Sequence, residues 1–175
     1  MTTLQISDTF YTMKDTLSPE ITKANRSARS SGAVGKNAVI PKLVGQMFPK
    51  SFKMLDYGSG PDRIHQVSLK LLGFDVDAFD FGKNWREGMQ YEVFPFRYDL
   101  IYASNVMNTW STPLMVAESL EQIKNGLKDN GIFLANFPKS PRYSKDYTDD
   151  DIETILNSYF SEVRILPKNV YYCRK

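Results

Sequence analysis

The run Lys53-Met-Leu-Asp-Tyr-Gly-Ser-Gly-Pro61 constrains this chain more than any other stretch. It reads as a buried strand that ends in a glycine-rich turn and then opens a helix. A second run, Phe74-Asp-Val-Asp-Ala-Phe-Asp80, reads as another strand that ends on a carboxylate. A nucleotide-type ligand needs such a pair. Glycines let the backbone approach the ligand closely, and the acid closing the next strand accepts hydrogen bonds from a ribose diol. An adenosine-containing ligand is therefore expected.

The remaining pattern alternates strand and helix. Val39, Ile40, Leu43, Val44 and Met47 space a helix, with Pro41 tolerable only in its first turn. Ile64, Val67 and Leu71 space a second helix, ended by Gly73. Tyr98-Asp-Leu-Ile-Tyr-Ala103 is a third clear strand, and Met89 to Val93 is a candidate for a short extra one. Thr112 and Pro113 start a helix carrying Val116, Leu120, Ile123 and Leu127 on one face. Asp129-Asn-Gly131 turns the chain into the apolar strand Ile132 to Phe137. Thr148 caps a last helix with Asp149, Asp150 and Asp151 in its first turn. Two strands, Glu162 to Leu166 and Asn169 to Cys173, close the chain as a hairpin around Pro167. This order implies an α/β fold, a mainly parallel sheet with helices on both faces and a C-terminal antiparallel hairpin. Residues 1–34 lack sustained periodicity and read as an arm or lid, ahead of a single domain over 35–175.

A lone Gly-x-Gly is weak evidence of chemistry, and Asp56 sharpens it. A dinucleotide turn reads Gly-x-Gly-x-x-Gly, but Arg63 stands at the third glycine position. A carboxylate inside the first strand also repels a pyrophosphate, whereas it suits a ligand carrying an ammonium and a sulfonium. S-adenosylmethionine carries both. In Leu55-Asp-Tyr-Gly-Ser-Gly60, Asp80, the run Tyr98 to Asn108 and the strand after Asn130-Gly131, the chain resembles the class I methyltransferases that use S-adenosylmethionine. More loosely, Ser31-Gly-Ala-Val-Gly-Lys-Asn37 and Asn136-Phe-Pro-Lys-Ser-Pro-Arg142 resemble small methyltransferases encoded by tailed phages. The resemblance implies a Rossmann-like fold and S-adenosyl-L-methionine as cofactor. It implies that Asp56, Gly58, Ser59 and Gly60 surround the methionine part and that Asp80 holds the ribose hydroxyls. Phe81 would lie beside the adenine, with Ser104 and Asn105 lining the pocket at a strand end. One departure stands out: seventeen residues separate Asp80 from Tyr98, so the usual second crossover helix must be short or missing. The acid that often meets the adenine amine has no clear counterpart beyond Glu92.

The methyl acceptor is less legible. Amino-methylating DNA enzymes place a Pro-Pro-aromatic turn where this chain reads Ser104-Asn-Val-Met, which counts against a nucleic-acid (adenine-type) methyltransferase. Asn105 and Asn108 are candidates to orient an acceptor amine or hydroxyl; the alternative is that they cap the strand end. The only histidine, His65, is expected as a partly exposed helix residue rather than a general base. Trp85, Trp110 and Tyr143 either stack on a flat substrate or close the core. A cofactor- or partner-binding module without turnover is the competing class.

Composition adds limits. Net charge is only +2, but Ile21 to Leu55 contains no acid and seven bases, Lys23, Arg26, Arg29, Lys36, Lys42, Lys50 and Lys53. That segment suits a nucleic-acid backbone or another anion, and equally a solvated face. The single Cys173 excludes an intrachain disulfide and a multi-cysteine zinc site. No run of about 18 apolar residues exists, and the N-terminus lacks a basic region followed by an apolar core. A cytoplasmic protein, in a host cytoplasm if phage-encoded, without membrane partners or metal is expected.

Overall fold

The computed structural model describes residues 19–27, 38–138 and 147–175. Its elements are α1 (Pro19–Ser27), α2 (Val39–Met47), β1 (Lys53–Tyr57), α3 (Ile64–Leu71), β2 (Asp75–Phe79), β3 (Tyr98–Ala103), α4 (Pro113–Gly126), β4 (Leu127–Asn136), α5 (Asp149–Tyr159), β5 (Glu162–Leu166) and β6 (Val170–Arg174). They form one six-stranded sheet in the order β2-β1-β3-β4-β6-β5. The first four strands pair in parallel, and β6 joins β4 and β5 antiparallel. This is the Rossmann-like arrangement that the alternation of strands and helices implies.

Both faces of the sheet are covered because side chains alternate along each strand. Leu55, Tyr57, Ile101 and Phe133 pack with Val116, Leu120 and Ile123 of α4 and Ile152 and Leu156 of α5. Met54, Val76, Leu100, Tyr102 and Leu134 face the other way, onto Ile40 and Val44 of α2 and Leu69 of α3. Fully burying one such aliphatic side chain contributes about 1.5–3 kcal/mol, so the two layers dominate stability.

Local signals decide where elements start and stop. The Thr112 hydroxyl accepts from the Met115 amide with Pro113 beside it, and Thr148 and Asp151 form a reciprocal capping box. Gly73, at φ +90°, donates to the Lys70 carbonyl and ends α3. The expected turn at 129–131 is present as an insertion inside β4. Leu127 pairs with Tyr98 and Ile132 pairs with Leu100, so the intervening residues bulge out, with Asn130 at φ +60°.

Two features position the ligand end. First, the stretch after β2 holds only the 3-10 turn Gly82–Asn84 before the chain returns through one parallel bridge, Phe79 to Gln90. The candidate strand at 89–93 is reduced to that bridge, and no second crossover helix stands there. Second, α1, within the expected arm, is a helix that the sequence reading did not anticipate. It packs against the 3-10 turns Gly82–Asn84 and Met107–Thr109, with Ile21 buried. The rest of residues 1–34 lies outside the described residues. Among the described residues, no helix is long and apolar enough to cross a membrane.

Candidate functional site

At the C-terminal ends of the parallel strands, the chain leaves β1 at Tyr57 and turns through Gly58, Ser59 and Gly60. The Gly58 and Ser59 amides donate to the Phe79 carbonyl at 2.9 and 3.1 Å, which stitches the turn to the end of β2. Gly58 and Gly60 stand at φ +76° and +71°, where side chains are strained. The two differ in surroundings. A Cβ on Gly58 would lie 2.6 Å from Val106, whereas nothing lies within 4 Å of a Cβ on Gly60. Gly58 is therefore required by the fold, and Gly60 faces open space. Arg63, at the position of the missing third glycine, adopts φ +51° and so takes a glycine-like conformation at the start of α3.

Asp80 meets this turn from β2. Its Oδ2 accepts from the Gly60 amide at 2.6 Å and its Oδ1 from the Phe81 amide at 2.7 Å. Burial pushes its carboxyl up to about 6, opposed by those two amides and by Arg86. Each carboxylate oxygen has two acceptor sites, so capacity for a ligand hydroxyl remains. Phe81 packs edge-on against Phe79 and Tyr57, with centroids 4.8 and 5.6 Å away, and its carbonyl accepts from Asn25 of α1.

Asp56 lies deeper, 1% exposed, on the sheet face that carries Tyr102, its register partner in β3. Burial raises its carboxyl to about 7, and the negative charge of Asp80 adds to the effect. The Tyr102 hydroxyl and the Gln66 amide in the first turn of α3 act against it. Asp56 Oδ2 and Tyr102 Oη each lack a well-formed hydrogen bond among the described residues. A buried carboxylate oxygen in that condition is costly unless a cationic or donor group meets it.

At the end of β3, Asn105 takes φ +58° and pairs reciprocally with Asn136 at the end of β4. The Asn105 amide donates to Asn136 Oδ1 at 2.7 Å, and Asn136 Nδ2 donates to Asn105 Oδ1 at 2.6 Å. Ser104 is half-buried with its Oγ unpaired among the described residues, and Asn108 is buried in the 3-10 turn Met107–Thr109. Asn136 was not among the candidate site residues. Its only sequence signal was its place at the end of an apolar strand, in Asn136-Phe-Pro-Lys.

Several expectations change. His65 is buried, not partly exposed, because α3 turns His65, Gln66 and Leu69 inward. Gln66 Nε2 donates to the Val76 carbonyl of β2 at 3.0 Å, so the inner face of α3 is partly polar. Trp110 is a core residue, Trp85 donates through Nε1 to the Gln90 carbonyl, and Tyr143 lies outside the described residues. The basic run divides between the two ends of the sheet. Lys53 at the start of β1 is held by Asp75 and Asp77 at 2.8 and 2.9 Å, while Lys23 and Arg26 are exposed on α1 at the ligand end. Arg29 and Lys36 lie outside the described residues. Cys173 is buried, which drives its thiol upward and leaves it unreactive.

No family model matches the sequence, and no curated protein matches it. Solved structures do match the fold. A TehB-like S-adenosylmethionine-dependent methyltransferase from Corynebacterium glutamicum superposes with TM-score 0.59 at 17% identity, over 85% of this chain and 91% of that one. Human N-acetylserotonin methyltransferase, in complex with S-adenosylmethionine, gives 0.59 at 15% identity, over 100% of this chain and 60% of that one. The 1,6-didemethyltoxoflavin-N1-methyltransferase of Burkholderia thailandensis, holding S-adenosylhomocysteine, gives 0.55 at 15% identity, over 97% and 86%. At such identities the likeness establishes the fold.

Proposed function

We propose that this chain is a methyltransferase that takes its methyl group from S-adenosyl-L-methionine and delivers it to a nucleophile bound at the ends of β3 and β4. The observation that carries the reading is the glycine turn fastened to Asp80, with an unpaired buried Asp56 oxygen behind it. The fold shared with methyltransferases supports it.

The residues present fit the cofactor. Gly60 leaves a cradle that a Cβ would fill, Asp80 offers acceptors for ribose hydroxyls, and Phe81 supplies an aromatic edge. Asp56 supplies negative charge for an ammonium or sulfonium. When bound, the sulfonium supplies an already activated methyl group. The protein's own task is then to position the acceptor and exclude water. Asn105 and Asn136 lock each other into fixed rotamers, a rigid amide floor against which an acceptor amine or hydroxyl can be oriented. Over the same end of the sheet, α1 closes one side of the site.

Calorimetry with S-adenosylhomocysteine tests the reading, and a micromolar dissociation constant, about −8 kcal/mol, is expected. Absence of heat and of thermal shift at millimolar ligand rejects it. Release of S-adenosylhomocysteine on incubation with cell extract separates an enzyme from a module that binds without turnover.

A further inference from the structure

Tyr102 is fully buried in the apolar layer that also holds Leu100, Leu134, Ile40 and Val44. A phenylalanine fills the same space, so packing accounts for the ring but not for the hydroxyl. Tyr102 Oη is buried without a well-formed hydrogen bond among the described residues. A polar atom in that condition costs stability, and a core that keeps it points to a use.

The hydroxyl turns to Asp56. The two residues are register partners in the parallel strands β1 and β3, with side chains on the same side of the sheet. Asp56 is just as deeply buried, and its Oδ2 likewise lacks a well-formed bond among the described residues. On its other flank the register partner is Ala78 of β2, whose side chain carries no donor. Two donors act on the carboxyl: the Tyr102 hydroxyl from β3 and the Gln66 backbone amide from α3. The Gln66 side chain is engaged elsewhere, on the Val76 carbonyl at 3.0 Å. His65 enters the layer from α3, and Asp80 at the end of β2 is the charge that opposes ionisation of Asp56. The remaining titratable side chain of the layer, Tyr172, stands three strands away on β6.

We propose that Tyr102 is a positioning residue of the cofactor site, a role that rests on the cofactor reading above: its hydroxyl donates to Asp56 and keeps that carboxylate charged behind the glycine turn. The tyrosine meets no ligand itself. It acts through Asp56, whose negative charge is what an ammonium or sulfonium finds attractive. A hydrogen bond to the charged form favours that form, so the hydroxyl works against burial and against Asp80.

Calorimetric titration with S-adenosylhomocysteine from about pH 6 to about pH 8.5 tests this in four chains. They are the wild type, Tyr102→Phe, Asp56→Asn and the double variant. Without its donor, Asp56 in Tyr102→Phe should ionise about one pH unit higher. At pH 7 the ligand should then bind roughly fivefold more weakly, and by about pH 8.5 the deficit should nearly close. In the Asp56→Asn background, replacing the tyrosine should change nothing. Carbon-13 NMR of the Asp56 carboxyl in the ligand-free chain reads the same displacement with no cofactor present. A Tyr102 that only packs would weaken binding equally at every pH, and that result overturns the proposal. So does an NMR midpoint that Tyr102→Phe leaves in place, while wild-type binding then still upholds the cofactor reading. A wild-type chain that binds no S-adenosylhomocysteine at any pH rejects the cofactor reading, and the positioning role falls with it.

Discussion

Gly58 and Gly60 share a positive φ but answer to different demands, and substitution should separate them. Gly58→Ala drives a methyl into Val106, so backbone strain and overpacking add, for a loss of roughly 2–4 kcal/mol in urea denaturation. Gly60→Ala carries only the backbone strain, about 1–2 kcal/mol, yet should lose affinity for S-adenosylhomocysteine in calorimetry because it fills the open cradle. Asp56 gives a pH signature. Its folded value, about 7, lies above the ordinary 3.8, so the folded chain holds the proton more tightly than the unfolded chain. That contribution to stability is complete below about pH 4 and is lost as pH rises through about 7. Relative to Asp56→Asn, the wild-type chain should therefore lose on the order of 4 kcal/mol between those limits, measured by denaturant titration at each pH. A cationic ligand favours the ionised form, so binding below pH 7 should release a proton. Calorimetry in two buffers of different ionisation enthalpy measures that release.

At the scale of elements, the caps and the short crossover do the organising. Thr148 satisfies the Asp151 amide and receives its carboxylate in return, so Thr148→Ala should cost about 1 kcal/mol of stability without touching the site. The helix α1 has the opposite profile. It is held by buried Ile21 and by the bond from Asn25 to the Phe81 carbonyl, both beside the proposed cofactor pocket. Ile21→Asp should release α1, seen as faster proteolysis within 19–27, and weaken S-adenosylhomocysteine binding while the sheet remains folded.

For the whole molecule, the two ends of the sheet carry different electrostatics. At the N-terminal ends of the strands, Lys53, Lys128 and Arg97 neutralise Asp75, Asp77 and Asp99 in a network that consumes its own charge. At the C-terminal ends, Asp56 and Asp80 are both raised by burial, and the charge of Asp80 further disfavours ionisation of Asp56. The charge available to a ligand is thus concentrated where the loops converge. Binding there should stabilise the whole domain. At S-adenosylhomocysteine one hundred times its dissociation constant, about 2.7 kcal/mol is expected, a rise of roughly 5–10 °C in the melting temperature.

Strand and helix order, the glycine turn, the acid ending β2 and the caps at Thr112 and Thr148 were all legible in the sequence, because each rests on local chemistry. Periodicity needs only neighbours three or four residues away, and a turn or cap needs only its own few residues. The shortened crossover was legible too, since seventeen residues between Asp80 and Tyr98 leave little room for a helix. What remained hidden depends on contacts between distant parts. The period of Ile64, Val67 and Leu71 marked a helix but not which way it turned; in the fold His65, Gln66 and Leu69 face inward, with Gln66 Nε2 on the Val76 carbonyl across the layer. The bond between Gly60 and Asp80 and the pairing of Asn105 with Asn136 join residues 20 and 31 positions apart. Only the parallel register of β1, β2, β3 and β4 brings those ends together, and register is a property of the folded sheet.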